Sequence, residues 1–306
     1  FNMTLIVICG ATATGKSDLA VALAKEIKGE IVNADSMQLY KGMDIGTAKL
    51  TLAERNGIPH HMLDILTVNQ DATVAQYQEL ARAKIDELLK AKIPVVVVGG
   101  TGLYIKAILD DLNFPDTAPI VREKIGLEAL TLGGDVMHAR LSELDPAAGF
   151  AIPKENVRRV VRALEVIEIT GKPYTANLPR EGSTKYPSAK QFGLALDRTK
   201  LQERIDARVD RMWELGLVAE VRDLIKEGLL DGRTAQAALG YAQIIKFAKA
   251  EMDEIEAMAE TKRTTRQYAR RQETWFSRDE RIQWINPAPV TSLLETVLSS
   301  TIGKDE

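Results

Sequence analysis

A single cysteine, Cys9, among 306 residues leaves no partner for an intrachain disulfide and excludes a cysteine-rich metal site. A reducing, cytoplasmic setting fits such a chain. Long hydrophobic runs are equally scarce. The longest, Leu5 to Cys9 and Ile93 to Val98, fall far short of the roughly 20 residues a bilayer requires. The first runs into a glycine loop instead of a cleavage site, so neither a membrane span nor a targeting signal is expected. Repeats and low-complexity tracts are absent. Net charge is slight: 40 Lys and Arg stand against 43 Asp and Glu, which argues against indiscriminate coating of nucleic acid but leaves local basic surfaces open. There are three histidines. His60 and His61 follow Pro59 and point to opposite sides if extended, so a structural or capping role is expected over a shared metal, and His138 has no partner nearby. Phe1-Asn2 ahead of Met3 reads as an expression remnant.

What is present is ordinary globular composition, 45% hydrophobic and 27% charged, enough for one large domain plus an insertion. The most informative stretch follows the apolar run Leu5 to Cys9. Gly10-Ala11-Thr12-Ala13-Thr14-Gly15-Lys16-Ser17 fits the strand, glycine loop and helix that wrap a phosphate chain. Glycines let backbone N–H groups close around phosphate oxygens, and the following helix points its positive end at them. Lys16 adds a mobile charge and Ser17 is a candidate Mg²⁺ ligand.

Strand-like runs at 5–9, 30–34 and 95–98 alternate with helical patterns at 17–28 and 74–92. That alternation predicts an α/β fold, a P-loop parallel sheet flanked by helices. The runs Leu5-Ile6-Val7-Ile8 and Val95-Val96-Val97-Val98 are apolar at every position, as strands covered on both faces must be. Residues 113–119, with two prolines, break the pattern. The reading is therefore a core of residues 1–112 and 190–306 with a mostly helical insertion domain at 113–189. Phe192 to Leu196 restores a strand, and residues 201–275 read as helical. The last twenty or so residues carry no arguable chemistry.

Parallel sheets bind ligands at the carboxyl ends of their strands. Besides the glycine loop, two such ends stand out: Asn33-Ala34-Asp35-Ser36-Met37-Gln38 and Gly99-Gly100-Thr101-Gly102-Leu103-Tyr104. Asp35 and Thr101 should face Lys16 across one cleft. Asp35 is open to three readings: Mg²⁺ ligand, general base, or cap for the next segment. The run at 95–98 ends in glycines where an NTP-hydrolysing enzyme usually carries its Mg²⁺-holding acid, so phosphate can be bound here without a nucleotide being hydrolysed. Between Thr261 and Arg278 lie Lys262, Arg263, Arg266, Arg270, Arg271 and Arg278 against one acid, Glu273, with Tyr268, Trp275 and Phe276 among them. A second basic cluster is Lys154, Arg158, Arg159 and Arg162. Two basic stripes in an acidic chain point to a polyanion, and the aromatics favour RNA with unpaired bases.

The chain closely resembles the tRNA dimethylallyltransferase family, the tRNA isopentenyltransferases, from residue 5 to about 285. The loop alone is shared with many nucleotide-binding and ATP-binding enzymes. More specific are Asp35-Ser36-Met37-Gln38, Met43-Asp44-Ile45-Gly46-Thr47-Ala48-Lys49, Gly57-Ile58-Pro59-His60-His61 and Gly99-Gly100-Thr101-Gly102-Leu103-Tyr104. Further matches are Arg158 to Val166, Thr170-Gly171-Lys172-Pro173, Arg208, Glu220-Val221, Leu239-Gly240-Tyr241 and Tyr268 to Phe276.

The resemblance implies transfer of a dimethylallyl group from dimethylallyl diphosphate to N6 of the adenosine 3′ of the anticodon in tRNA. It implies Asp35 as general base, Thr101 beside the reacting groups, and Lys16 and Arg208 on the diphosphate, with Mg²⁺ assisting. tRNA contacts are implied at Asp35, Ser36, Met37 and Gln38, at Arg159, Val160, Val161, Arg162 and Ala163, at Gly240 and Tyr241, and at Arg270, Arg271, Gln272 and Trp275. The family makes a monomer the expectation, and the tRNA anticodon stem-loop the partner. Ala242-Gln243 after Gly240-Tyr241 departs from the family pattern, as does Glu273 within a basic stripe. The rival readings are a cytokinin-type prenyltransferase acting on AMP, ADP or ATP, a small-molecule kinase, and a non-catalytic RNA-binding protein.

Overall fold

The computed structural model describes residues 4–112, 114–115, 117–177 and 183–302. The Phe1-Asn2 dipeptide lies outside the described residues, as do Asn113 and Asp116 of the break and residues 178–182 of the insertion. The chain divides into two compact units, one running to Leu109 and resuming at Tyr186, the other Asp110–Lys185. The sequence reading put these boundaries at 112/113 and 189/190.

In chain order the first unit contains β1 (Leu5–Cys9), α1 (Lys16–Ile27), β2 (Glu30–Asn33), β3 (His60–His61), α2 (Val74–Lys90), β4 (Val95–Gly99) and α3 (Gly102–Leu109). The helical unit contributes α4 (Pro119–Leu132), α5 (Gly134–Leu144), α6 (Pro146–Ala151) and α7 (Val157–Thr170). The first unit then resumes with β5 (Lys190–Leu194), α8 (Arg198–Glu214), α9 (Leu217–Lys226), α10 (Tyr241–Ala248), α11 (Glu254–Phe276), β6 (Ile282–Ile285) and α12 (Val290–Ile302).

The strands form one sheet in the order β3-β2-β4-β1-β5-β6, with every neighbouring pair parallel. Val7 on β1 registers with Val97 on β4 and with Gln191 on β5. Alternate residues of β1 serve two cores. Leu5, Val7 and Cys9 join Val32, Val95 and Val97 in a core that includes Tyr77 and Ile85 of α2 and Ile105 and Ile108 of α3. Ile6 and Ile8 join Ile31, Val96 and Phe192 in another with Leu19, Leu23 and Ile27 of α1 and Leu293 and Val297 of α12. Burial on both faces explains why these strands have no polar alternation. The chain leaves β1 toward β2 on one side and reaches β5 on the other, so the β1/β4 crevice is the switch point where such sheets take ligands.

Two strands and two helices, α3 and α12, escaped the sequence reading. His60–His61 is an edge strand on β2, too short to show a period, with His61 Nε2 2.6 Å from Glu30 Oε2 and His60 Nδ1 2.8 Å from the Ile58 carbonyl. β6 buries only its two end residues, so its four positions carry no alternation. α12 follows Pro287 and Pro289 and packs on α1. Cys9 is fully buried, and burial pushes its thiol up to about 12, an unreactive state.

The helical unit has its own core of Ile125, Met137, Leu141, Val160, Ala163 and Leu164. Within it the fully buried Glu165 accepts from Arg122 Nε (2.8 Å) and the Ala118 N–H (3.0 Å), and lies 2.9 Å from Arg162 Nη1. His138 Nε2 donates to the carbonyls of Gly149 and Ile152, both at 2.9 Å, a structural role. Among the described residues no helix is long and apolar enough to cross a membrane.

Candidate active site

The glycine loop ends at Gly15, whose left-handed backbone (φ 93°) turns the chain directly into α1 at Lys16. Ala11 and Ala13 are buried against Leu201 and Ile205 of α8 and Ala269 of α11, so the loop is backed by helices and its small residues are a packing requirement. Lys16 Nζ donates to the Ala11 carbonyl at 2.6 Å. Arg208, from α8, donates through Nη1 to Thr12 Oγ1 at 3.3 Å. Burial draws the Lys16 amine down to about 8; Arg208 pushes the same way and Asp35 opposes it. Burial likewise lowers Arg208, against the pull of Asp18 and Asp35. Two cations thus converge with too little negative charge between them, which is the electrostatic signature of a site for an anion.

On the other side of the cleft Asp35 follows β2. Its Oδ1 accepts the Met37 N–H at 3.0 Å, so the capping reading is realised. Asn33 fixes the turn: its Oδ1 accepts the Asp35 N–H (3.0 Å), and its Nδ2 donates to the carbonyls of Asp35 (2.9 Å) and Met62 (3.0 Å). The Asn33 carbonyl in turn accepts from Tyr77 Oη at 2.7 Å, and Tyr77 stacks on Tyr104. Burial raises the Asp35 carboxyl above its ordinary value, opposed by the Met37 N–H and by Lys16. A carboxylate made more basic by its surroundings is suited to take a proton. Thr101 Oγ1 accepts the Ser36 N–H at 3.0 Å, and burial pushes the Tyr268 hydroxyl up to about 12, with Asp35 adding to the rise and Thr101 and Gln272 drawing it back.

These groups border a cavity of about 710 Å³ whose lining includes Thr12, Lys16, Ser17, Asp35, Arg208 and Tyr268. The sequence expectation put Asp35 and Thr101 opposite Lys16 in one cleft; Asp35 and Lys16 line this cavity together, whereas Thr101 is not among its lining residues. The segment from Asp44 to Lys49 forms another part of the wall. Glu220 holds it, accepting the N–H groups of Asp44 (3.2 Å), Ile45 (2.8 Å) and Gly46 (3.4 Å) together with the Tyr241 hydroxyl. Lys49 Nζ, buried, binds Asp44, Asp64 and the Tyr40 carbonyl. Gln38 Nε2 donates to the Thr47 carbonyl at 2.9 Å. Asn33, Lys49 and Glu220 each lie in a segment the sequence reading singled out, but it gave none of them a role of its own.

Several RNA-contact candidates lie in the interior or are engaged within the protein. Tyr241 is fully buried with its hydroxyl on Glu220, and Gly240 is buried at the start of α10, where its N–H donates to Gln243 Oε1 at 2.8 Å. Val160, Val161 and Ala163 are core residues of the helical unit, and Arg162 is engaged with Glu165 and the Pro115 carbonyl. Gln272 is 6% exposed and both ends of its amide bind backbone. The basic stripe is narrower than its composition. Lys262 pairs with Asp210, Arg263 with Glu260, and Arg266 with Asp206. Arg270, Arg271 and Arg278 remain exposed, with the Arg271 guanidinium 5.7 Å from the Tyr268 ring centroid. Trp275 is 43% exposed, and its indole lies against Gly102, where a Cβ would stand 2.1 Å from the ring. Burial raises the Glu273 carboxyl, while Arg198 and Arg270 draw it down. In the helical unit Arg158 and Arg159 are exposed, and Lys154 Nζ lies 3.1 Å from Asp135 Oδ1.

The family model for IPP transferase matches residues 38–279. A tRNA dimethylallyltransferase of Thermobifida fusca is 57% identical over 287 residues, covering 92% of this chain and 89% of that protein. Among solved structures, the full-length tRNA isopentenylpyrophosphate transferase of Bacillus halodurans aligns over 99% of this chain and 98% of its own at 34% identity and a TM-score of 0.71. A eukaryotic dimethylallyltransferase described as acting on tRNA aligns over 98% of this chain and 77% of its own at 25% identity and a TM-score of 0.81.

Proposed function

Because this chain belongs to the IPP transferase family, we propose that it is a prenyltransferase that moves the dimethylallyl group of dimethylallyl diphosphate onto N6 of the adenosine 3′ of the anticodon in tRNA. The observation that carries the reading is the shared cavity: two anion-seeking cations, Lys16 and Arg208, face a carboxylate of raised basicity, Asp35. In the transfer the C1–O bond to diphosphate breaks, the N6–C1 bond forms, and Asp35 takes the N6 proton. Lys16, Arg208 and the loop amides stabilise the charge that accumulates on the departing diphosphate, the role such preorganised donors play best in a water-poor site. Thr101 holds the Ser36 N–H beside Asp35. A positioned base is worth about 10² to 10⁴ in rate, or roughly 3 to 5 kcal/mol.

Ser17 borders the cavity, and among the described residues no group of three or more His, Cys, Asp or Glu could hold a metal. That donor set suits Mg²⁺ held chiefly by diphosphate oxygens and water, with Ser17 as its protein ligand. Bound there, Mg²⁺ would supply charge neutralisation to the leaving group. The loop takes a diphosphate in this reading, not ATP.

The target base leaves its stack at a cost of a few kcal/mol, which contacts to neighbouring nucleotides offset. Arg270, Arg271 and Trp275 on α11 and Arg159 in the helical unit are the residues we assign to those contacts. A reducing cytoplasm accords with the lone buried thiol, and the monomer we propose follows from the family resemblance alone.

Labelled dimethylallyl diphosphate with Mg²⁺ and an unmodified anticodon stem-loop, with AMP and ATP in parallel, tests the reading. Label in RNA alone is the expected result. Label in the mononucleotides would replace it with cytokinin-type chemistry, and no transfer at all would refute prenyl transfer.

A further inference from the structure

Gln272 is buried on α11 between two loops that carry opposite halves of the reaction. Its Oε1 accepts the Thr12 N–H of the phosphate loop at 2.9 Å, and its Nε2 donates to the Gly100 carbonyl after β4 at 2.9 Å. Thr12 is the residue whose hydroxyl receives Arg208, so this end of the amide holds the diphosphate side. The other end holds the base side. Thr101, next to Gly100, donates its N–H to the Ala34 carbonyl (3.2 Å) and accepts the Ser36 N–H (3.0 Å), on either side of Asp35. A fully used buried amide is a rigid spacer, because losing either bond strands a backbone group in a site of low dielectric. The fit is tight: a Cβ on Gly100 would stand 2.2 Å from Gln272 Nε2.

We propose that Gln272, which also borders the cavity, is a positioning residue that sets the separation between the diphosphate cradle and the Asp35 base, and so acts on the rate of transfer through the two loops it joins. The inference rests on the prenyl-transfer reading above. Transfer requires the N6 nucleophile, C1 and the leaving oxygen in near-attack geometry, and a displacement of about 1 Å can cost about 10²-fold in rate. Gln272→Met keeps length and volume and removes both hydrogen bonds. Gly100→Ala leaves the amide in the protein but pushes it aside.

The test is single-turnover transfer from labelled dimethylallyl diphosphate to the unmodified stem-loop by the full chain. Inorganic diphosphate affinity and the KM for RNA are measured alongside. The expected result for Gln272→Met is a rate constant lower by about 10²-fold at full amplitude, with diphosphate affinity and RNA KM within about threefold of wild type. A variant that had merely lost folded molecules would show lower amplitude at the wild-type rate constant, and that outcome would overturn the proposal. Gly100→Ala should show the same slow phase. The double variant should be no slower than the worse single one, because both changes act through one contact. Additive losses, or a wild-type rate constant in Gln272→Met, would refute the spacer role while leaving prenyl transfer intact. Absence of transfer by the wild-type protein would instead remove the reading on which it rests.

Discussion

Removing the loop lysine should make the free protein more stable while destroying its anion site. In the ligand-free fold Lys16 sits at about 8 against an ordinary 10.5, held down by burial and by Arg208. At about 1.4 kcal/mol per pH unit the difference amounts to roughly 3 kcal/mol of strain in the charged form. Lys16 is only half-buried and faces the cavity, so solvent screening reduces this to about 1–3 kcal/mol. Lys16→Met also forfeits the bond to the Ala11 carbonyl, worth about 1 kcal/mol. A net gain of up to about 2 kcal/mol follows, or up to roughly 5 °C in Tm for a chain of this size. The pH dependence has a definite sign. An amine whose pKa is lower in the folded than in the unfolded state destabilises fully below about 8, and the penalty disappears as pH rises toward 10.5, where both states are neutral. The Tm advantage of Lys16→Met is therefore largest at pH 7 and closes above pH 8. Diphosphate at 100 times its Kd should stabilise the wild type by about 2.7 kcal/mol and the variant far less. Scanning calorimetry with and without diphosphate at pH 7 and pH 10 measures all of this. A variant that melts below the wild type at pH 7, or whose advantage grows with pH, would refute the account of a strained cation awaiting an anion.

The same site and its neighbours give three further expectations. Asp35→Asn should slow single-turnover transfer by about 10² to 10⁴ with diphosphate affinity nearly unchanged. Because burial raises Asp35, the acid limb of the wild-type rate profile should lie above the ordinary carboxylate range, the rate rising with pH as the base is freed, and that limb should vanish in the variant. Arg270→Ala with Arg271→Ala should weaken stem-loop binding and shrink the magnitude of its log–log salt slope by about 1 to 2, while Arg266→Ala, already paired with Asp206, should leave the slope unchanged. Equal slopes in the double variant would remove α11 from the RNA surface. In the helical unit, Glu165→Leu strips a buried carboxylate from Arg122, Arg162 and the Ala118 N–H and should cost about 3–5 kcal/mol, read as loss of the helical unit's hydrogen-exchange protection.

What the chain disclosed in advance was what repeats or what obeys a local rule. The uniformly apolar runs at 5–8 and 95–98 announced interior parallel strands because both faces of the sheet are covered. Gly15-Lys16 announced its own turn because only a left-handed residue enters α1 at that angle. The edge elements were silent. His60–His61 is two residues long and β6 shows its side chains to solvent in the middle, so neither has a period to detect. The basic stripe misled for a different reason. Charge counted along α11 includes Lys262, Arg263 and Arg266, and their neutralisation by Asp210, Glu260 and Asp206 depends partly on how α8 packs, which local sequence does not encode. The Gly240-Tyr241 pair and Val160, Val161 and Ala163 came from family resemblance, which marks segments. Burial then separates the side chains that face solvent from those that hold the segment in place.

The glycines that follow β4 tie these strands of argument together. From sequence, Gly99 and Gly100 signalled only that the acid of a nucleotide-hydrolysing loop is missing. The structure supplies the steric reason. A Cβ at position 99 would stand 2.3 Å from the Ala34 carbonyl carbon, and one at position 100 would stand 2.2 Å from Gln272 Nε2. An aspartate at either position could not be accommodated without parting β4 from the Asp35 turn or expelling the Gln272 amide. The room that a hydrolytic acid would need is taken by the connection between cradle and base. The phosphate loop in this fold thus borders one side of the cavity, and Asp35, the carboxylate we propose as the base, enters from the end of β2. There it faces Lys16 and Arg208 across a cavity wide enough for a second substrate.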